Sequence, residues 1–356
     1  MTRDATVHHS ESVAQLYPPG WVDRFTDWVK RLPGPSWLFY LLLWLALFLM
    51  ANAIKWLDGS QPLGAIAHLS TISASDGVYF LALVHYLKGA ASAALRTFRP
   101  ALAVSEAEYN RLHYQLTTLP ALRALLASVI GAAIAGLTVL LNPTVPNPYY
   151  YTSLLATVFG SGIAIFTFTV FGALIYQTIH QLTMVIRIHA TATRINLFQP
   201  DPLYAFSGLT ARTAMGYLIL ADTALLAMYE FMSETDPLAA GIMVFMMLLA
   251  AVTFILPLLG MHRRMVEEKG RLESEAKRRL EATIAELHRC VDAGDFTEIM
   301  SELNSAMESL EIERNVLAKI PTWPWRPGTL RIAISPVLLP VAVWLIQRLL
   351  ERFGGF

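Results

Sequence analysis

The sequence predicts an all-α fold, a polytopic membrane helical bundle of seven spans with an antiparallel cytoplasmic helical hairpin between spans six and seven. Three observations support this prediction. The 356 residues are 55% hydrophobic and 15% charged, with a mean hydropathy of +0.47, whereas soluble domains carry about 25% charged residues. The hydrophobic residues fall in runs of about 20, the length at which a helix crosses hydrocarbon. Lys and Arg fall in alternate loops, as the positive-inside rule requires.

Residues 1–36 form a polar N-terminal segment with no hydrophobic signal region, so we expect the first span to remain as an anchor. The stretch "WVDRFTDWVKRL" spaces its apolar residues by three or four positions. This spacing predicts an interfacial amphipathic helix on the inner leaflet. Its apolar face would carry Trp21, Phe25, Trp28 and Leu32, and its polar face Asp23, Arg24, Asp27 and Lys30.

Residues 37–260 contain six of the seven expected spans. The second run is the most polar, with His68, Asp76 and His85, and hydropathy alone would also allow a re-entrant segment. Charge favours a full crossing, because omitting it would place five basic residues outside. All seven runs lie near 37–57, 66–87, 121–141, 153–180, 213–232, 239–260 and 329–347.

The loops expected on the outer side contain no Lys or Arg. They are residues 58–65, 142–152 and 233–238, and two of them are short turns rich in Pro, Asn or acidic residues. The remaining loops and the N-terminal segment carry the basic residues. The resulting topology has the N-terminus inside and the C-terminus outside.

Residues 261–320 are the only long polar region. Apolar residues recur every three or four positions on both sides of a "DAGD" turn that contains Gly294. This pattern predicts two antiparallel helices that reach about 40 Å into the cytoplasm. The hairpin is either self-contained or, as we favour, packed against copies of itself or against loops 88–120 and 181–212, because so narrow a pair buries little surface.

Residues 321–356 hold a Pro/Trp joint and the last transmembrane helix. Pro321, Pro324 and Pro327 each remove a backbone donor, so the return helix must end before the bilayer. Trp323 and Trp325 are amphipathic rings suited to the headgroup level. The joint either only stops the helix and anchors it, or also transmits movement of the hairpin to the last span.

This layout resembles the insect gustatory and odorant receptor superfamily of seven-helix ion channels, and the detailed sequence looks like that of prokaryotic multi-pass membrane proteins. The family's last-helix pattern is Thr-Tyr, five apolar residues and Gln-Phe. It aligns with residues 340–348, where the apolar five and Gln347 agree. The resemblance implies a tetramer joined through cytoplasmic helices, with the last helix around a central pore. Ser335, Pro336, Pro340 and Gln347 would then be pore-lining.

Few polar residues fall inside the predicted spans. Asp222 lies halfway along span five, where a carboxylate normally faces a partner or a water-filled cavity. Its role is either in an ion path or ligand pocket or in a structural hydrogen bond. His85 and His180 are its candidate partners, although a packing role is commoner for a lone membrane histidine. His189 and the neighbouring arginines predict a solvated or anion-neutralising face.

No nucleotide-binding, zinc-protease or nucleic-acid-binding motif is present, which argues against an enzyme and against nucleic-acid partners. The sequence predicts neither a cofactor nor a metal site. We expect a homo-oligomeric, channel-like protein of the cell membrane, in contact with lipid. The alternative is a non-conducting scaffold or sensor whose segment 261–320 binds a cytoplasmic protein. A transporter would show inverted repeats, and none is evident.

Overall fold

A computed structural model describes residues 16–59, 61–66, 68–141, 153–191, 195–228, 237–294, 298–326, 328–329 and 331. For residues 68–74, 222–228, 237–243, 246 and 298–300 it describes the backbone alone. The helices are α1 Trp21–Arg31, α2 Ser36–Leu57, α3 His68–Phe98, α4 Glu106–Thr117, α5 Ala121–Leu141, α6 Leu154–Thr191, α7 Ala205–Met228, α8 Pro237–Ile255, α9 Leu259–Asp292 and α10 Glu298–Lys319. Short 3-10 turns, Arg99–Ala101 and Leu256–Leu258, follow α3 and α8.

The protein is an all-helical, multi-pass membrane protein. Within the described part of the chain no strand occurs, and five helical segments are long and apolar enough to cross a bilayer. They are Ser36–Leu57, Ser75–Ala101, Ala121–Leu141, Leu154–Thr191 and Met247–Asp292. The doubtful second run is therefore helical, and its helix continues about ten residues further than the hydropathy suggested. Residues 332–347 of the last predicted span lie outside the described residues.

The core of the bundle lies between α3, α6 and α7. Leu87, Leu174 and Tyr217 are fully buried there. The outward faces of α2 and α5 are lined by exposed leucine and isoleucine, for example Leu42 and Ile130. Exposed apolar faces of this kind suit a lipid environment, because lipid tails are as apolar as leucine and a helix gains no hydrophobic free energy by burying leucine away from them.

Helices α5 and α6 approach each other through glycine. A Cβ at Gly131 would lie 2.9 Å from the carbonyl carbon of Phe168, and one at Gly172 would lie 3.0 Å from that of Ala127. Only glycine permits this backbone contact. Within the small-residue segment 131–136, Gly131 makes this contact, whereas Gly136 faces open space.

Helices α9 and α10 form the antiparallel hairpin. Gly294 turns the chain with φ +71°, a conformation that favours glycine. The contacts show that the two helices are antiparallel. Lys269 contacts Ala318, whereas Arg279, later on α9, contacts a residue earlier on α10, with its Nη1 3.8 Å from Glu313 Oε1. The 34 residues of α9 extend about 51 Å. Because α9 follows α8 through one short 3-10 turn, the hairpin rises directly out of a membrane helix.

Candidate functional site

The chain that returns from the hairpin is fixed to the foot of α9 by stacked aromatic rings. We call Phe254, His262, Trp323 and Trp325 the joint cluster. The His262 and Trp323 rings are parallel with centroids 4.0 Å apart, and Trp323 stacks on Trp325 at 4.4 Å. Trp325 in turn stacks on Phe254 at 5.5 Å. Both tryptophans expected at the headgroup level therefore pack onto the end of α8 and the start of α9, with their rings half-buried.

Hydrogen bonds reinforce the joint cluster. Helix α10 ends with carbonyl groups that have no partner within the helix. Lys269 Nζ donates to one of these carbonyl oxygens, that of Ala318 at 2.9 Å, and to the carbonyl oxygen of Ile320, just after the helix, at 3.0 Å. His262 Nδ1 donates to the carbonyl oxygen of Thr322 at 3.0 Å. A lysine at this end of a helix also opposes the negative pole of its dipole.

A further ion pair holds the segment that follows the cluster. Arg326 donates to Asp201 Oδ1 at 2.6 Å, although both side chains are exposed. The chain from 318 to 326 is thus tied both to α9 and to the segment before α7. This arrangement connects the hairpin to the residues that precede the last apolar run.

A second polar cluster docks α1 against the bundle. Asp23 is only 4% exposed, and its Oδ1 lies 3.1 Å from Lys88 Nζ. Its Oδ2 accepts the backbone N–H of Leu119 at 2.8 Å. Lys88 also reaches Asp27 at 3.2 Å. The sequence placed Asp23 on the solvated face of α1, whereas the structure turns that residue inward.

His85 and His180 have partners other than Asp222. Tyr40 Oη lies 3.0 Å from His85 Nδ1, and His180 Nε2 donates to the carbonyl oxygen of Gln115 at 2.6 Å. Each histidine thus ties a helix to a neighbour, which is the packing role. Asp222 lies on α7, and its side chain is outside the described residues.

The position of His189 contradicts the solvated face that the sequence predicted near the end of α6. It is 1% exposed and lies between the rings of Phe98 and Phe206, with centroids at 5.5 and 5.2 Å. Its Nδ1 donates to the carbonyl oxygen of Pro257 at 3.1 Å. The prediction of a solvated histidine here was wrong, because α6 continues as a packed helix beyond its apolar run.

The proposed pore-lining residues Ser335, Pro336, Pro340 and Gln347 lie outside the described residues. In the part that is described, no group of three or more His, Cys, Asp or Glu side chains is arranged to hold a metal ion.

The sequence signalled the tryptophans of the joint but missed the groups that hold them. His262, Lys269 and Lys88 occur in polar or mixed surroundings where a solvated side chain is the ordinary expectation. The one available signal was the position of Lys88, directly after the second apolar run.

No family model matches this chain, and the searches of curated proteins and of solved structures found no similar protein at the significance required.

Proposed function

We propose that the protein is an oligomeric, ion-channel-like protein of the cell membrane, with seven spans, the N-terminus inside and the C-terminus outside. Its cytoplasmic helices mediate assembly, and its last helix lines a central pore. The single observation that carries the proposal is the joint cluster, which connects the hairpin to residue 326, three positions before the predicted last span. A displacement of the hairpin would therefore act on that span.

The form of the hairpin supports assembly. Between Leu272 and Ile320, none of the described residues belongs to the core of the bundle. On α10, Ile312 and Val316 are 59% and 46% exposed and lie one helical turn apart on one face. Two exposed β-branched residues in register form an apolar ridge, which favours contact with another helix of the same kind.

The assembly is tested by charging the ridge. The double variant Ile312→Glu with Val316→Glu should dissociate the oligomer, because a buried carboxylate is costly. Arg314→Glu is a matched control, since it changes the charge by the same amount at an exposed residue of α10 that points away from the ridge. The readout is subunit number by mass photometry in detergent. Equal assembly of both variants would contradict the role of the ridge.

Conduction is tested with purified protein in liposomes. We expect cation flux from the wild-type protein and a lower flux from Trp323→Ala at unchanged subunit number, because that variant removes two of the three stacks of the joint cluster, those with His262 and Trp325. Trp37→Ala, which removes an exposed ring at the start of α2, is the control. An oligomer that passes no ions at any voltage would refute the channel.

The second candidate is a non-conducting scaffold or sensor whose hairpin binds a cytoplasmic partner. It is favoured by the absence of core contacts along the described hairpin beyond its foot, which leaves both helices accessible. Three results together would favour this function over the channel: the wild-type protein is a monomer, it passes no ions, and the variant with Ile312→Glu and Val316→Glu no longer binds a cytoplasmic protein that the wild type binds.

The topology is tested by labelling. Cys290 is the only cysteine, so Cys290→Ser provides a background for single cysteines. Leu63→Cys in the loop after α2 and Ser309→Cys on α10 both introduce exposed thiols. We expect a membrane-impermeant maleimide to label them from opposite sides. Labelling of both from one side would exclude the proposed orientation.

A further inference from the structure

A cavity of about 410 Å³ lies where the second membrane helix ends. It is lined by Arg96, Arg99, Pro100, Leu102, Val104 and Tyr109. The candidate span in this region ends at Ala101, which would bring the cavity to the level of a bilayer surface, whichever side that surface faces. Its volume is within the range of about 300–1,000 Å³ typical of small-ligand pockets.

The two arginines of the cavity differ in their partners. Arg99 is held in place, since it donates to Glu106 and its Cζ lies 4.8 Å from the centroid of the Tyr109 ring. Arg96 lies one turn earlier on α3 and has no ion-pair partner among the described residues. The lining therefore combines the guanidinium of Arg99, which is held in place, the guanidinium of Arg96, which no carboxylate neutralises among the described residues, and the ring of Tyr109.

His113 adds no charge to this site at neutral pH. Its Nε2 lies 2.8 Å from Ser92 Oγ, on the same side of α3 as Arg96. Burial lowers the pKa of His113, and the nearby charge of Arg96 lowers it further. The positive potential of the cavity thus comes from the two arginines, with Glu106 as the competing anion.

We propose that this cavity binds a phosphate group, carried either by the headgroup of an anionic phospholipid or by a free phosphate. Guanidinium groups bind phosphate through paired N–H donors, and basic pockets beside membrane helices are suited to anionic headgroups. Leu102 and Val104 provide apolar surface for the glycerol portion. Binding releases Glu106 from Arg99, so the carboxylate acts as an internal competitor.

The test uses the full chain in nanodiscs of phosphatidylcholine with a minor fraction of phosphatidylglycerol. Bound phosphatidylglycerol is measured by native mass spectrometry after exchange into detergent. Arg96→Gln should reduce its retention about tenfold, as the loss of about 1.4 kcal/mol implies. Glu106→Gln should increase retention, because it removes the competitor. Arg123→Gln, at an exposed cation at the start of α5, is the control for general attraction of anionic lipid.

Inorganic phosphate distinguishes the two sources. If titration calorimetry shows phosphate binding with the same order of variants, and phosphatidylglycerol is not retained, the ligand is free phosphate. If phosphatidylglycerol alone follows that order, the ligand is the lipid. If Arg96→Gln, Glu106→Gln and the wild-type protein behave alike in both assays, the proposal is overturned. Glu106→Gln alone decides the matter should Arg96→Gln fail to fold.

Discussion

Replacing Gly172 by alanine tests the close backbone contact between α5 and α6. The added Cβ would lie 3.0 Å from the carbonyl carbon of Ala127 and closer still to its oxygen. Carbon atoms in contact are about 3.5–4.0 Å apart, so α5 and α6 must separate by at least about 0.5 Å. A backbone atom cannot rotate away as a side chain does, so the displacement must spread along both helices.

The expected cost follows from the same geometry. Overpacking of a close contact costs about 1–3 kcal/mol, whereas replacing glycine by alanine inside a helix returns about 0.5–1 kcal/mol. Taking about 2 and about 0.8 kcal/mol from those ranges leaves a net loss of about 1.2 kcal/mol for Gly172→Ala. Gly162→Ala is the matched control, because it lies on the same helix and its Cβ would meet nothing within 4 Å.

Unfolding in detergent, followed by circular dichroism against temperature and against sodium dodecyl sulfate, measures the difference. The helix-propensity contribution is common to both variants, so Gly172→Ala should be about 2 kcal/mol less stable than Gly162→Ala. Gly131→Ala should resemble Gly172→Ala, and the double variant should cost less than the sum, because one displacement relieves both clashes. Equal stability of Gly172→Ala and Gly162→Ala would refute the backbone contact.

Three further predictions concern other parts of the molecule. Asp23→Ala should lower the free energy of unfolding by about 1–3 kcal/mol, because it leaves the backbone N–H of Leu119 without its acceptor and leaves Lys88 with only the more exposed Asp27 as a partner. Asp27→Ala, at a carboxylate that pairs with the same lysine but is 48% exposed, should cost less than about 1 kcal/mol; thermal unfolding compares the two, and equal costs would contradict the buried pair. Trp323→Ala should speed amide hydrogen exchange in residues 320–326 without changing exchange in α3, and unchanged exchange at the joint would show that the stack does not hold it. Because the pKa of His113 is lowered in the folded state, the stability that its neutral ring contributes is fully present above the unfolded pKa of about 6.5 and is lost as pH falls below that value. The free energy of unfolding should therefore fall less between pH 7 and pH 5 for His113→Gln than for the wild-type protein, and an equal fall would contradict the lowered pKa.

Much of the architecture was predictable because it depends on local pattern. The runs at 37–57 and 121–141 match α2 and α5 closely, since composition alone marks a helix that crosses lipid. The hairpin was predictable from periodicity and from the turn at Gly294. The second run is helical as predicted, but its predicted end at residue 87 was too early, because α3 continues to Phe98 after the hydropathy declines.

The candidate site was only partly predictable. The prolines and tryptophans of the joint stand out in the sequence, yet nothing near them identifies their partners. His262 lies 61 positions before Trp323, and Lys269 lies 51 positions before Ile320. The register of the two helices decides which side chains meet across such separations. One residue added to the turn would rotate the facing side of one helix by about 100° relative to the other.

The sequence by itself determined that this chain is helical, that it crosses a membrane repeatedly, and that one long polar hairpin follows the sixth apolar run. These properties follow from hydropathy and period, which each segment carries on its own. Tertiary structure alone decided that Asp23 faces inward toward Lys88 and that His189 is buried between two phenylalanines. The physical reason is that a polar side chain can enter the interior only where another segment supplies its hydrogen-bond or charge partner, and that partner is distant in the chain.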